Sequence, residues 1–229
     1  MKLCFSTRGC AERSLADIFA LARAYRIPCL EFRGIGGIID NREIPDFAPD
    51  RLAQTRAALD RAGLTARVIG ASASFHDPRE REASLAEAHT AVLIASALGA
   101  PYIRVFGNNT GDDPAAATQS VIEGLSLLAE DAAAHGVTAL LETHGDFNRA
   151  ETLAPILEAL DGRAGFGLIW DVMHTYFAIG RDFQPLYRLL RPYIRHVHVK
   201  DCLPDRTQVL PGKGDIPLRA ILDQLRADS

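Results

Sequence analysis

Cysteines, aromatic rings and long apolar runs are all scarce in this chain of 229 residues. The four cysteines, Cys4, Cys10, Cys29 and Cys202, are scattered and form no C-x-x-C pair. That spacing speaks against a structural zinc site and reads as free thiols in a reducing cytoplasm, the expected compartment. No window approaches the ~18 consecutive apolar residues of a membrane span. The opening MKLCFSTRGC lacks the apolar stretch and small-residue cleavage site of a secretion signal. A basic excess is missing too: 25 lysines and arginines face 29 aspartates and glutamates, a formal charge of −4. A surface that tracks a phosphate backbone carries the opposite balance, so nucleic acid is not an expected partner. Nor does a G-x-G-x-x-G loop follow the first apolar run, which continues as STRGCAERS. An open doubly wound sheet usually carries that loop. GIGG at 34–37 leads into IIDNREIPDF rather than into a helix, so its glycines read as loop.

What is present is a repeating rhythm. Hydrophobic residues make up 48% of the chain, enough for a sizeable core. Seven β-rich runs stand out: KLCFS (2–6), CLEFR (29–33), ARVIGAS (66–72), YIRVFG (102–107), TALLETH (138–144), GFGLIWD (165–171) and IRHVHVK (194–200). Helical patterns lie between them. Leu15, Ile18, Phe19, Ala22 and Tyr25 recur at helical spacing behind a Ser14/Asp17 capping box. Leu52, Leu59 and Ala62 mark a helix closing near Gly63. Asp113 as N-cap and Pro114 at the first position open a helix with the stripe Val121, Leu125, Leu128, Ala132, which Gly136 closes. Residues 80–98, 149–160, 183–193 and 217–227 supply the others.

Strict alternation of strand and helix implies parallel strands joined by right-handed crossovers. Strand starts recur roughly every 30 residues, the spacing of a (β/α)8 TIM barrel of about 250 residues. The seventh helix pattern ends near 227. The eighth strand and helix are therefore expected either beyond Ser229 or from another chain that fills the gap, and residues 1–229 read as one C-terminally incomplete barrel domain. The irregular stretch 34–49 is the one long loop and a lid by length.

Barrel chemistry sits at the C-terminal ends of the strands, and side chains alternate inward and outward along each. If Val197 and Val199 face the helices, His196, His198 and Lys200 face inward. The same alternation turns Glu142, His144 and Asp171 inward and Trp170 outward into the core. His174 follows in the loop and can fold back over the mouth. Two carboxylates and several imidazoles at one end suit a divalent cation, Mn, Mg, Co or Zn, and two inward carboxylates side by side without one would repel. Deeper in, Glu31 and Arg104 are expected to form a buried ion pair. Arg33, nearer the mouth, can reach a polar substrate. Ser72, Ser74 and His76 at the third strand and Asn108 after the fourth can bind hydroxyls or cap loops. His89 and His135 read as surface or packing residues.

LLETH, LIWDVMH and HVHVKD, followed by PGKGDIPLRAIL, together resemble the xylose-isomerase-like TIM-barrel superfamily. It spans sugar phosphate isomerases and epimerases, ketose 3-epimerases, hydroxypyruvate isomerase, inosose dehydratase, and AP endonuclease family 2 enzymes such as endonuclease IV. The resemblance implies one divalent ion held by a Glu on strand five, an Asp on strand six, a His on strand seven and a Glu on strand eight. These map onto Glu142, Asp171 and His198, with the fourth beyond Ser229. The substrate-binding His three residues after the Asp maps onto His174. It also implies a small polar sugar-like substrate, and members often pair as homodimers.

The implied chemistry is isomerisation or epimerisation of a small sugar, ketose or polyol derivative through an enediolate. Glu142 is the expected acid/base as well as a ligand, and His174 and Lys200 the expected stabilisers of oxyanion charge. Lys200 could instead pair with Asp201 or Glu142. An inosose-type dehydratase differs only in expelling a β-hydroxyl from the same enolate, and a non-catalytic metabolite-binding barrel is a third reading. An endonuclease IV-like activity needs a D-x-H after strand seven. Here the matching residues are Asp205, Arg206 and Thr207, so the histidine is absent.

Overall fold

The alternation read from the sequence is the one the chain adopts. A computed structural model describes residues 2–228. Seven strands, β1 (Cys4–Ser6), β2 (Cys29–Phe32), β3 (Thr65–Ser74), β4 (Tyr102–Phe106), β5 (Thr138–Glu142), β6 (Phe166–Asp171) and β7 (Ile194–His198), pair in chain order. Every pairing is parallel. Helices α1 (Leu15–Ala24), α2 (Leu52–Ala62), α3 (Arg81–Leu98), α4 (Pro114–Ala134) and α5 (Ala150–Ala159) alternate with the first six strands. Two more, α6 (Val172–Ile179) and α7 (Gln184–Leu190), separate β6 from β7, and α8 (Leu218–Ala227) follows. Between β7 and α8 a small antiparallel pair forms from β8 (Asp201–Cys202) and β9 (Gln208–Val209). The result is a curled half-barrel, a TIM barrel without its eighth unit among the described residues.

The helix ends fall where their capping residues put them. Ser14 Oγ accepts from the Asp17 amide and donates to the Asp17 carboxylate at 2.7 Å. Asp113 caps α4 through the Ala116 amide at 3.0 Å, with Pro114 at the first position. Gly63 ends α2 with φ +68°, a conformation that costs glycine nothing.

The two faces of the sheet carry two separate apolar clusters. Ile103, Val105, Leu141, Leu168 and Trp170 join the large core beneath the helices. Val68, Leu140 and Ile169, with Tyr102 against them, form a small plug inside the curl. The period of two then fixes the next inward layer. Glu142 follows Leu140 on the inner face, and Asp171 follows Ile169. Trp170, one residue from Asp171, is 1% exposed, and its indole N–H donates to Thr175 at 3.0 Å.

Three expectations need correction. His174 does not lie in a loop: it sits in the first turn of α6. Glu31 and Arg104 do not pair. Arg104 lies against Glu142, and Glu31 is held by His196 and His198. The stretch 34–49 is packed down rather than loose, with Ile35, Ile44 and Phe47 all buried and Asn41 donating to Gly70 O. No helix among the described residues is long and apolar enough to cross a membrane.

One buried carboxylate organises the segment after β7. Asp201, 1% exposed, accepts from the amides of Cys202, Gly212, Gly214 and Ile216 at 2.7–3.4 Å. Burial would raise its carboxyl, but these backbone N–H groups hold it below the ordinary range. The loop so fixed brings Asp215 to the Tyr176 hydroxyl of α6 at 3.3 Å. Asp201→Ala strands four amides, and leaving buried donors unpaired costs about 1–3 kcal/mol. We expect a urea midpoint lowered accordingly and faster amide exchange across 210–216.

Candidate metal centre

Three strands deliver the centre. Asp171 and His198 are register partners on neighbouring strands, and Glu142, paired with Ile169, lies one inward layer below Asp171. His198 Nδ1 is 3.0 Å from Glu142 Oε1 and 3.8 Å from Asp171 Oδ2. Donor atoms of all three residues lie within 4.8 Å of one another. A second trio, Glu31, His196 and His198, meets the same criterion and shares the His198 ring.

The two oxygens of Asp171 have separate tasks. Oδ1 accepts from the amides of Met173 and His174 at 3.0 Å each, which makes it the N-cap of α6. Oδ2 points the other way and meets Lys200 Nζ at 2.6 Å. Lys200 therefore pairs with neither Asp201 nor Glu142, the two partners expected of it. Its side chain is 38% exposed while that of Asp171 is fully buried.

Charge balance is tight. Burial would push the Glu142 carboxyl up, but the hydrogen bond from His198 and the charge of Arg104 hold it below its usual range. Burial likewise opposes ionisation of Asp171, and His198 and Lys200 outweigh it by a wide margin. For His198, burial works against the charged ring, and Glu31, Asp171 and Glu142 carry it well above an ordinary imidazole. Arg104 Nε stands 3.2 Å from Glu142 Oε2 without an aligned hydrogen bond, and its guanidinium covers the Phe106 ring at 3.9 Å. Two carboxylates and an imidazole form a donor set that fits a divalent cation of the Mn, Mg, Co or Zn type.

Beside the centre lies a ring pair. His144 and His174 meet with ring centroids 4.0 Å apart and planes tilted by 47°, and His144 also contacts Phe106. Burial lowers the pKa of both, and the charge of His174 adds to the effect on His144. His144 Nδ1 is buried and, among the described residues, has no hydrogen-bond partner.

The remaining predicted residues are more dispersed. Arg33 donates to Ser72 Oγ at 2.8 Å and to Ile39 O at 3.3 Å. Burial, then the nearby Arg104 charge, lowers it to about 10. Ser74 ends β3 with its backbone bonded to Ser84. Asn108 follows β4 in a left-handed conformation, φ +73°. Among the described residues no hydrogen bond ties Ser74 or Asn108 to the trio. Sequence reasoning missed Arg104 as the partner of Glu142 and Glu31 as the partner of His198, since neither link has a local signal. It also missed α6, although Asp171 ahead of an apolar run closed by Gly180 is a readable cap pattern.

Seven parallel strands gather carboxylates and imidazoles at their C-terminal ends, a (β/α) barrel with candidate metal-ligand groups at one rim. The chain belongs to the xylose isomerase-like TIM barrel family, whose model matches residues 21–229. Among solved structures, it resembles the probable 3-DHS dehydratase AsbF involved in petrobactin synthesis from Bacillus anthracis. Identity is 19%, TM-score 0.82, covering 99% of this chain and 89% of that one. The IOLI protein with a bound zinc atom is 21% identical, TM-score 0.81, covering 100% and 86%. A D-psicose 3-epimerase solved in the presence of D-fructose is 17% identical, TM-score 0.79, covering 99% and 81%. No curated protein matches the chain in sequence.

The double use of Asp171 can be separated. Asp171→Asn and Asp171→Ala both remove the partner of Lys200, but only the asparagine keeps a capping oxygen. With chelator present, we expect the alanine variant to be less stable than the asparagine variant by about 1 kcal/mol in chemical denaturation.

Proposed function

We propose that this barrel is a divalent-metal-dependent isomerase or epimerase of a small sugar, ketose or polyol derivative. The observation that carries the reading is the convergence of Glu142, Asp171 and His198 within 4.8 Å at the rim, beside the His144–His174 ring contact. A Mn, Mg, Co or Zn ion held by that trio would polarise a carbonyl and its neighbouring hydroxyl and so acidify the C–H between them.

The chain's own groups do the rest. Glu142, kept ionised by His198 and Arg104, takes the proton from that carbon; returning it to the next carbon completes isomerisation, whereas epimerisation needs a second group to protonate the opposite face, the role the family resemblance gives to a strand-eight Glu. The nearby Arg104 guanidinium limits the rise in basicity of Glu142. His174, kept neutral by burial and fixed by the first turn of α6, hydrogen-bonds the substrate oxygen where negative charge grows. Lys200 brings a positive charge to the same side. His144, Arg33, Ser74 and Asn108 are assigned to the remaining hydroxyls, with Arg33 favouring the more polar end.

Elimination is the second reading, and the likeness to a probable dehydratase supports keeping it. The deprotonated substrate is the same in both cases. The outcome turns on whether a β-hydroxyl lies within reach of a proton donor.

Incubation of the Mn-loaded chain with a panel of ketoses in D2O tests the proposal. Deuterium should enter beside the carbonyl, and an unsaturated product would assign elimination instead. Glu142→Gln should slow exchange by about 10²–10⁴-fold, the usual worth of a positioned acid/base. Metal content is measured in parallel, because Glu142 is also a ligand. Undiminished turnover with unchanged metal content would remove Glu142 from the proton transfer. Full metal loading with no exchange on any ketose would leave a binding barrel.

A further inference from the structure

The His198 ring has a carboxylate at each nitrogen, and the two sides are not equivalent. Nδ1 faces Glu142 and Asp171, from β5 and β6, at 3.0 and 3.8 Å. Nε2 faces Glu31 Oε2, from β2, at 2.9 Å, across the inside of the curled sheet and 167 residues away in the chain. An imidazole that uses one nitrogen as a ligand needs the other fixed by an acceptor, commonly a carboxylate, which orients the ring and makes it a better donor.

Glu31 is built for that task. It is 5% exposed, and its other oxygen, Oε1, accepts from Ser6 Oγ at 2.8 Å. Ser6 is the register partner of Glu31 on β1, so the neighbouring strand presents the hydroxyl. His196 Nε2 supports Oε2 at 3.2 Å. Glu31 thus enters the interior with both oxygens already engaged, Oε1 by Ser6 and Oε2 by His196 and His198.

We propose that Glu31 is the positioning residue of the centre: its carboxylate holds the Nε2–H of His198 and so presents Nδ1 to an ion shared with Glu142 and Asp171. The inference rests on the metal-binding reading of that trio. It makes the Glu31, His196, His198 group an outer support rather than a second ion site. Ser6 becomes a further brace, acting on the ring through Glu31.

The test is Zn²⁺ affinity, measured on the full chain by competition with a chromophoric chelator, with ions per chain counted alongside. Absorption spectra of the Co²⁺-loaded protein and melting curves in chelator complete the set. The wild-type chain should bind one ion. Glu31→Gln should weaken Zn²⁺ by about 10–100-fold, the usual cost of losing such a partner, while the Co²⁺ band positions and intensities stay those of the wild type. Ser6→Ala should shift affinity in the same direction by less. Zn²⁺ affinity within twofold of wild type in a folded Glu31→Gln chain would overturn the proposal. If that chain does not fold, unchanged affinity in Ser6→Ala overturns it. Two ions per chain, or a Co²⁺ spectrum altered by Glu31→Gln, would make Glu31 a ligand and also refute the positioning role. Absence of any binding by the wild-type chain would instead remove the metal reading itself, and this inference with it.

Discussion

An imidazole held between Glu31 and Glu142 ties together strands that the sheet alone does not join. β2 and β7 lie five strands apart in the hydrogen-bonded order, yet the His198 ring bridges to Glu31 at 2.9 Å. That contact forms only if the sheet curls enough to bring its inner face round on itself. The apolar plug of Val68, Leu140 and Ile169 occupies the same interior. Above the plug the interior turns polar. His198 there stands between Glu31 and the Glu142–Asp171 side, carboxylates that would otherwise repel one another, and Arg104 lies against Glu142.

This arrangement explains why the chemistry gathers at one rim. Parallel strands all point their C-terminal ends the same way, so alternation on β5, β6 and β7 brings Glu142, Asp171 and His198 to adjoining layers without any loop having to carry them. The groups that do come from outside the strands are fastened by short local devices. α6 is started by Asp171 itself, and the 201–216 segment is wound around Asp201 and docked onto α6 through Asp215.

Much of this could be read before any coordinates. The seven strands, the caps at Ser14 and Asp113 and the inward set Glu142, Asp171 and His198 follow from periodicity, because the period of two and the helical repeat are local properties. What could not be read is who pairs with whom across the interior. Arg104 has Glu31 and Glu142 both inward and both acidic, and the sequence holds no distance that selects one. The outcome depends on the stagger between β2 and β4, including the register shift at Leu30/Glu31, which is a tertiary quantity. The loop placement of His174 failed for a different reason. Asp171 has, besides its charge, a second capacity as a cap that starts a helix.

That second capacity has a mechanical side. A carboxylate pinned through Oδ1 by two amides cannot rotate about its last bond, so the orientation of Oδ2 is dictated by the axis of α6. The imidazole of His174 rides on the same turn. A tilt of this eight-residue cylinder would therefore swing both groups as one lever. Its pivot lies at Asp171, and the Asp215–Tyr176 and Arg181–Asp215 bonds act as its latch near the far end.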